Sequence, residues 1–272
     1  MIIEIIGSSG AGKSTVTPIV REFFQKHVVN VYLRRDAARM CMERLPVGRL
    51  VQFVPSPIRD QVTKRVYWNQ HKHYENRFAQ QHPELIRFVH ETQRVRPPEA
   101  LVKQRNVLPS FRRLMGHYGL LTSMKRPGDV LIFDEGFVHR VIALHVSPVE
   151  TPPIETMSTY LDLIPRSDLV IHVKTPPEIC IQRVKKRGPA SFLVNMHEEH
   201  MARFFKNMQI VIHQAVSHIQ QKGWPVIEVD NSHNDLDQAS AAIHTQLYKI
   251  LLPDAGSGVT AHKQIARQLN RG

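Results

Sequence analysis

The segment Gly7-Ser8-Ser9-Gly10-Ala11-Gly12-Lys13-Ser14 constrains this chain more than any other, because it fits G-x-x-x-x-G-K-[ST] in a telling context. Before it, Ile2-Ile3-Glu4-Ile5-Ile6 reads as a buried parallel strand. After it, Val16, Ile19, Val20, Phe23 and Phe24 recur at helical spacing, with Pro18 early enough to cost a local kink at most. Strand, glycine-rich turn and helix start together aim a row of backbone N–H groups at one point, where phosphate oxygens bind. Lys13 is then placed to reach the β- and γ-phosphates of a nucleotide, and the Ser14 hydroxyl to hold Mg²⁺. The expected nucleotide-binding residues are Gly7, Ser8, Ser9, Gly10, Ala11, Gly12, Lys13, Ser14 and Thr15.

The same alternation continues along the chain. A second strand is expected near Val28–Leu33, ending in Arg34-Arg35-Asp36, and a third at Val130-Leu131-Ile132-Phe133 after the turn Pro127-Gly128-Asp129. Asp168–Val173 makes a fourth and Pro225–Val229 a fifth. Between them, Thr175-Pro176-Pro177-Glu178 has the form of a capped helix start, and that helix should stop at Gly188-Pro189. Longer helices are expected from His197 to Lys222, stopping at Gly223, and over Asp235–Leu251. Strands alternating with helices predict an α/β, doubly wound, parallel five-stranded sheet. Residues 37–126 interrupt this rhythm as a helical insertion between strands 2 and 3, with Ile58–Gln80 its clearest helix and Pro97-Pro98 and Pro109 as interruptions. One domain over 1–252 is expected, followed by a mobile tail over 253–272.

The acids of the third strand complete a site. Asp134-Glu135 stands at the carboxyl end of that strand, where open α/β sheets bind ligands. Asp134 is the first choice for Mg²⁺ and Glu135 for a supporting or general-base role; the alternative is a solvated strand end.

Charge and composition narrow the partners. The chain carries +12 at pH 7, and residues 37–126 hold 17 Lys/Arg against 6 acids, so the insertion accounts for nearly all of the excess. Two cysteines, Cys41 and Cys180, exclude a disulfide framework and suit a reducing cytoplasm. No basic leader and no apolar run of membrane-spanning length is present, so secreted and membrane-spanning classes are not expected.

Together these features resemble the P-loop nucleoside and nucleotide kinase superfamily, the thymidylate-kinase-like branch in particular. The resemblance covers most of the chain outside 37–126 and the tail, and implies ATP as phosphoryl donor with Mg²⁺. It implies a lid over 183–200, in which Arg183, Lys186 and Arg187 neutralise the transferring group; a water-exposed basic helix end is the alternative. It also implies an acid at the end of the second strand near the acceptor hydroxyl. Asp36 holds that place, as general base or as helix cap, with Arg34 and Arg35 beside it on the acceptor side. Members of the family often carry an arginine directly after the acid of the third strand, whereas here Gly136 and Phe137 follow Glu135. His139 and Arg140, one helical turn on, are the candidate substitutes.

The insertion bears on the acceptor. Lys64 to Tyr74 interleaves cations with Tyr67, Trp68 and Tyr74, the pairing that nucleic-acid grooves use. In a helix, Val62, Val66 and Asn69 share a face with Ile58, so a solvated basic helix with a buried stripe is equally open. The expected partner is an anionic acceptor, DNA or RNA among them. Sixteen histidines do not assemble a metal motif, since His197 and His200 are three apart with no third ligand evident. The leading expectation is an ATP-dependent kinase acting on a nucleoside-like hydroxyl, free or in nucleic acid, including hydroxymethylated pyrimidines in DNA. A sugar or antibiotic kinase, and a nucleic-acid-binding ATPase or switch, are the alternatives.

Overall fold

Five short apolar runs become the strands β1 (Ile2–Ile6), β2 (Val31–Leu33), β3 (Val130–Phe133), β4 (Leu169–Lys174) and β5 (Val226–Asp230). The computed structural model describes residues 1–27, 30–51, 53–94, 107–148, 150–188, 193, 196–233 and 236–251. All strand pairings are parallel and the order is β2-β3-β1-β4-β5, the expected doubly wound sheet. β1 is central, and the chain crosses from one side of it to the other between β3 and β4, which opens a ligand crevice at its carboxyl end.

Side-chain alternation divides the interior into two cores. Ile3, Ile5, Ile132, Ile171 and Val173 face α1 (Lys13–His27), with later helices completing that layer. Ile6, Leu131, Phe133 and Val170 face the opposite layer. Much of that second layer comes from the segment between β2 and β3, which forms α2 (Ala37–Arg44), α3 (Pro46–Val51), α4 (Ser56–Gln81), α5 (Pro83–Arg94) and α6 (Val107–Met124), all but α3 contributing buried residues to it. It is closed by α7 (Phe137–His145), α8 (Ile154–Leu163) and the greater part of α10 (Glu198–Gln221). On the first face lie α9 (Pro177–Arg187), through Cys180 and Val184, and α11 (Leu236–Leu251), through Ile243 and Leu247.

The helices between β2 and β3 share one core with the sheet. The Phe137 ring of α7 stacks on Phe78 of α4 at 5.1 Å and meets Phe111 and Tyr118 of α6 edge-on at 5.6 and 5.1 Å. Arg44 of α2 pairs at 2.6 Å with Asp129 in the turn before β3, their side chains 6% and 1% exposed. Desolvation works against the Asp129 carboxylate, but Arg44, the Arg126 amide and Asn30 outweigh it and hold its pKa below the usual value.

Three local expectations are corrected. The buried face of α4 is Tyr67, His71, Glu75 and Phe78, and Ile58 is 48% exposed, so the stripe runs along a different side of the helix. Pro109 does not interrupt a helix; it sits in the first turn of α6, where its missing N–H has no helical partner to lose. Thr175 does not cap α9, whose N-cap is Pro176. β2 begins at Val31, with 28–29 outside the described residues, as are Pro97-Pro98, the tail over 253–272, and most of 189–195 in the expected lid.

Candidate functional site

At the carboxyl end of β1 the chain turns through Gly7–Gly12 into α1. Gly12 has φ +93°, and the Asn231 side chain occupies the space a Cβ would need, so only glycine fits there. The loop is braced from behind by three residues that the motif does not contain. Asn231 Nδ2 and the Thr175 hydroxyl both donate to Ala11 O, at 2.8 and 3.1 Å. Arg183 donates to Asn231 O at 2.8 Å and to Gly10 O at 3.4 Å.

The loop opens onto a cavity of about 650 Å³. Its lining includes Ser8 and Ser14 of the loop and α1, Asp134 and Glu135 after β3, and Lys186 and Arg187 of α9. Ser8 is 2% exposed, and its hydroxyl is a buried oxygen that finds no hydrogen-bond partner among the described residues. An orphaned hydroxyl in a glycine-rich loop that opens onto a cavity fits an incoming phosphate oxygen. Lys13 Nζ donates to Gly7 O at 2.8 Å and Ser8 O at 3.1 Å. Burial pushes its pKa down, while Glu135 and Asp134 support the charged form.

The donor set also fits a hard cation. The Ser14 hydroxyl and the Asp134 carboxylate line the same cavity, and both are oxygen donors of the kind Mg²⁺ takes, with nucleotide phosphates and water supplying the rest. No group of three or more His, Cys, Asp or Glu suited to a metal occurs among the described residues.

The predicted residues divide into two sets. Ser8, Ser9, Gly10, Gly12, Lys13, Ser14, Thr15, Asp134, Glu135, Arg183 and Arg187 meet at the cavity. Gly7 and Ala11 are part of the loop's backbone but do not line it. Asp36 is also outside the lining: its carboxylate accepts the Leu33 N–H at 2.9 Å and lies 3.8 Å from both Arg21 and Arg39, the geometry of a local cap. Arg35 is exposed. Arg34 and Arg140 reach the site through its acids, 3.8 Å from Asp134 and Glu135 respectively. Burial pushes the pKa of His139 well down, and the charges of Lys13, Arg140 and Arg34 add to that.

Sequence reasoning missed Asn231, the bracing role of Thr175, and Glu4. Asn231 follows β5 directly, and position at the carboxyl end of a strand was its available signal. Glu4 is fully buried inside an apolar strand, a placement that calls for a partner.

The aromatic and basic segment of α4 splits by face. Tyr67 turns inward and shares a hydrogen bond of 2.8 Å with His117, while Trp68, 50% exposed, stays outside with Lys64, Arg65 and Lys72. No helix among the described residues is long and apolar enough to cross a membrane.

No protein-family model and no curated protein matches the sequence. Solved structures of deoxyadenosine kinase from M. mycoides are similar to it. The form with bound dCTP aligns over 92% of this chain and 100% of that one at 16% identity and a TM-score of 0.43. The form with bound dATP aligns over 91% and 99% at 19% identity, with a TM-score of 0.43. The form with the products dCMP and a flexible dCDP gives 92%, 100%, 16% and 0.44.

Proposed function

We propose that this chain is an ATP-dependent kinase that transfers the γ-phosphoryl group to a hydroxyl of a nucleoside-like acceptor. One observation carries the reading: the phosphate loop, the acids Asp134 and Glu135, and the cations Lys186 and Arg187 come from three separate elements and line a single cavity. The loop amides, the Ser8 hydroxyl and Lys13 bind and orient the phosphates. Ser14 and Asp134 would hold Mg²⁺, which when bound neutralises charge on the β- and γ-oxygens. Lys186 and Arg187, which form no ion pair among the described residues, face the charge that develops during transfer. Arg183 acts differently, as a brace of the loop. Glu135 takes the hydroxyl proton as the acceptor oxygen bonds to phosphorus and the bond to ADP breaks.

Glu135 rather than Asp36 holds that role because only Glu135 faces the cavity. Asp36→Asn should therefore keep the transfer rate within about threefold, while Glu135→Gln should lose about 100-fold. Steady-state rates of the two variants, measured side by side, check this. The reverse order would return the base to Asp36.

The acceptor reading includes a nucleoside carried in nucleic acid, such as a hydroxymethylated pyrimidine in DNA. Trp68 flanked by Lys64, Arg65 and Lys72 on an exposed helix face supports it, since aromatic faces stack on bases and cations meet phosphates. Both cysteines are free and buried, which suits the cytoplasm. The test is transfer from γ-labelled ATP with Mg²⁺ to nucleosides, nucleotides, sugars, and DNA or RNA with and without hydroxymethyl bases. Label in polynucleotide, with affinity falling steeply as salt rises, supports a nucleic-acid substrate. Label confined to free nucleosides or nucleotides keeps the kinase and removes the polymer, and label only in sugars overturns the nucleoside-like acceptor.

A further inference from the structure

Glu4 is the charged residue in the middle of β1, and none of it is exposed. Strand alternation sends Ile3 and Ile5 into the core beneath α1 and turns Glu4 toward the opposite layer. There its Oε2 accepts the Val138 N–H at 2.8 Å and its Oε1 accepts the Ser167 hydroxyl at 3.0 Å. Val138 is the second residue of α7, and the N-cap of that helix is Gly136, which offers no side-chain bond. A Cβ on Gly136 would collide with the Glu4 carboxylate. Glu4 thus caps α7 from a separate strand, satisfying an N–H that a helix start leaves unpaired and opposing its positive end. Residue 4 also pairs with Phe133 in the sheet, so the Asp134-Glu135 turn is pinned by Glu4 on both sides, by backbone before it and by side chain after it.

We propose that Glu4 is a positioning residue of the nucleotide site, holding the Asp134-Glu135 turn by capping α7 from β1 and so setting how tightly the metal-bound nucleotide is held. The inference rests on the nucleotide reading above. Burial pushes the Glu4 pKa up to about 7, against the pull of Val138, Ser167, the Phe137 amide and the Arg140 charge. The Tyr118 and Tyr160 side chains of α6 and α8 also feel its charge. Above that pH the ionised carboxylate accepts both bonds with full charge. Below it, the neutral acid must turn its Ser167 bond around and loses its attraction for Arg140 and the helix end. Glu4→Gln copies the neutral form at every pH.

The experiment is calorimetric titration of ADP, with and without Mg²⁺, from pH 6 to pH 8, on wild type, Glu4→Gln and Glu4→Met. In wild type the tightening caused by Mg²⁺ should grow over this range by about threefold more than it does in Glu4→Gln, the two matching at the acid end. The comparison cancels titration of the nucleotide's own phosphate. Glu4→Met should lose about tenfold of the Mg²⁺ effect at pH 8 while metal-free ADP binds within about twofold of wild type. An unchanged Mg²⁺ effect in Glu4→Met, an equal loss with and without metal, or a Glu4→Gln profile that follows wild type would each overturn the proposal. Absence of ADP binding in wild type would instead remove the nucleotide reading, and this inference with it, before any variant is compared.

Discussion

Lys13→Met is expected to lower phosphoryl transfer by about 10³-fold while leaving the chain at least as stable as wild type. The two halves of that expectation have one cause. The Lys13 ammonium is tethered by Gly7 O at 2.8 Å and Ser8 O at 3.1 Å, and burial pushes its pKa down. A partly desolvated cation is costly to the fold, and the same partial desolvation strengthens its field on a transferring phosphoryl group. Methionine keeps most of the stem and removes the charge, so the desolvation cost disappears along with the catalytic field. Single-turnover transfer and a thermal melt on the same preparation check both halves. Transfer within tenfold of wild type would mean that the phosphates do not lie at Lys13. A midpoint several degrees lower would make Lys13 a structural residue.

Arg44→Met acts in the opposite way, on the fold and far less on the chemistry. It should destabilise the chain by about 3–5 kcal/mol, because it leaves the Asp129 carboxylate buried without its partner. The pair spans 2.6 Å and joins α2 to the turn before β3, and Arg44 also donates to Tyr32 and to Met124 O. The pH dependence has a defined sign. In wild type the Asp129 pKa is held below its unfolded value, so its contribution is present above the ordinary aspartate range and lost as pH falls through the folded pKa. Without Arg44, burial raises that pKa instead, and the folded protein takes up a proton more readily than the unfolded chain. The deficit relative to wild type should therefore narrow as pH is lowered from 7 toward about 4. Urea denaturation across that range measures it, and Arg44→Met with Asp129→Asn should recover part of the loss. A constant small deficit would show that the pair contributes little.

The parts of the fold that were legible in the sequence are those fixed by short-range chemistry. The run Ile2–Ile6, the glycine loop and the periodicity of α1 each point to one conformation, and the third strand carries Asp134-Glu135 to the same sheet edge. The inward face of α4 was hidden because, Phe78 apart, it is built from residues that hydropathy does not mark. Tyr67 is satisfied by His117, and Glu75 accepts from Arg112 at 2.7 Å and Lys72 at 3.1 Å, so their burial depends on partners in α6 and in the preceding turn of α4. Thr175 has the spacing of a cap, but the helix starts one residue later, after Pro176, and the Thr175 hydroxyl accepts no helix N–H; it donates instead to carbonyls, among them Ala11 O. Asp36 and Glu4 show the limit most clearly. One carboxylate in a suggestive position is taken up by Leu33 and nearby arginines, and another in an unremarked position caps a helix 134 residues away in the chain. Contacts of that range have no local signature.

The central claim is that the γ-phosphoryl goes to an alcohol and not to water, and the fate of that group measures it directly. Wild-type protein, γ-labelled ATP, Mg²⁺ and the best acceptor of the panel would be sampled over time for ADP, inorganic phosphate and labelled acceptor. ADP and labelled acceptor should rise together one for one, with both lost in Lys13→Met. Inorganic phosphate rising in step with ADP, with no label in the acceptor, would contradict the account and make the chain a nucleotide hydrolase.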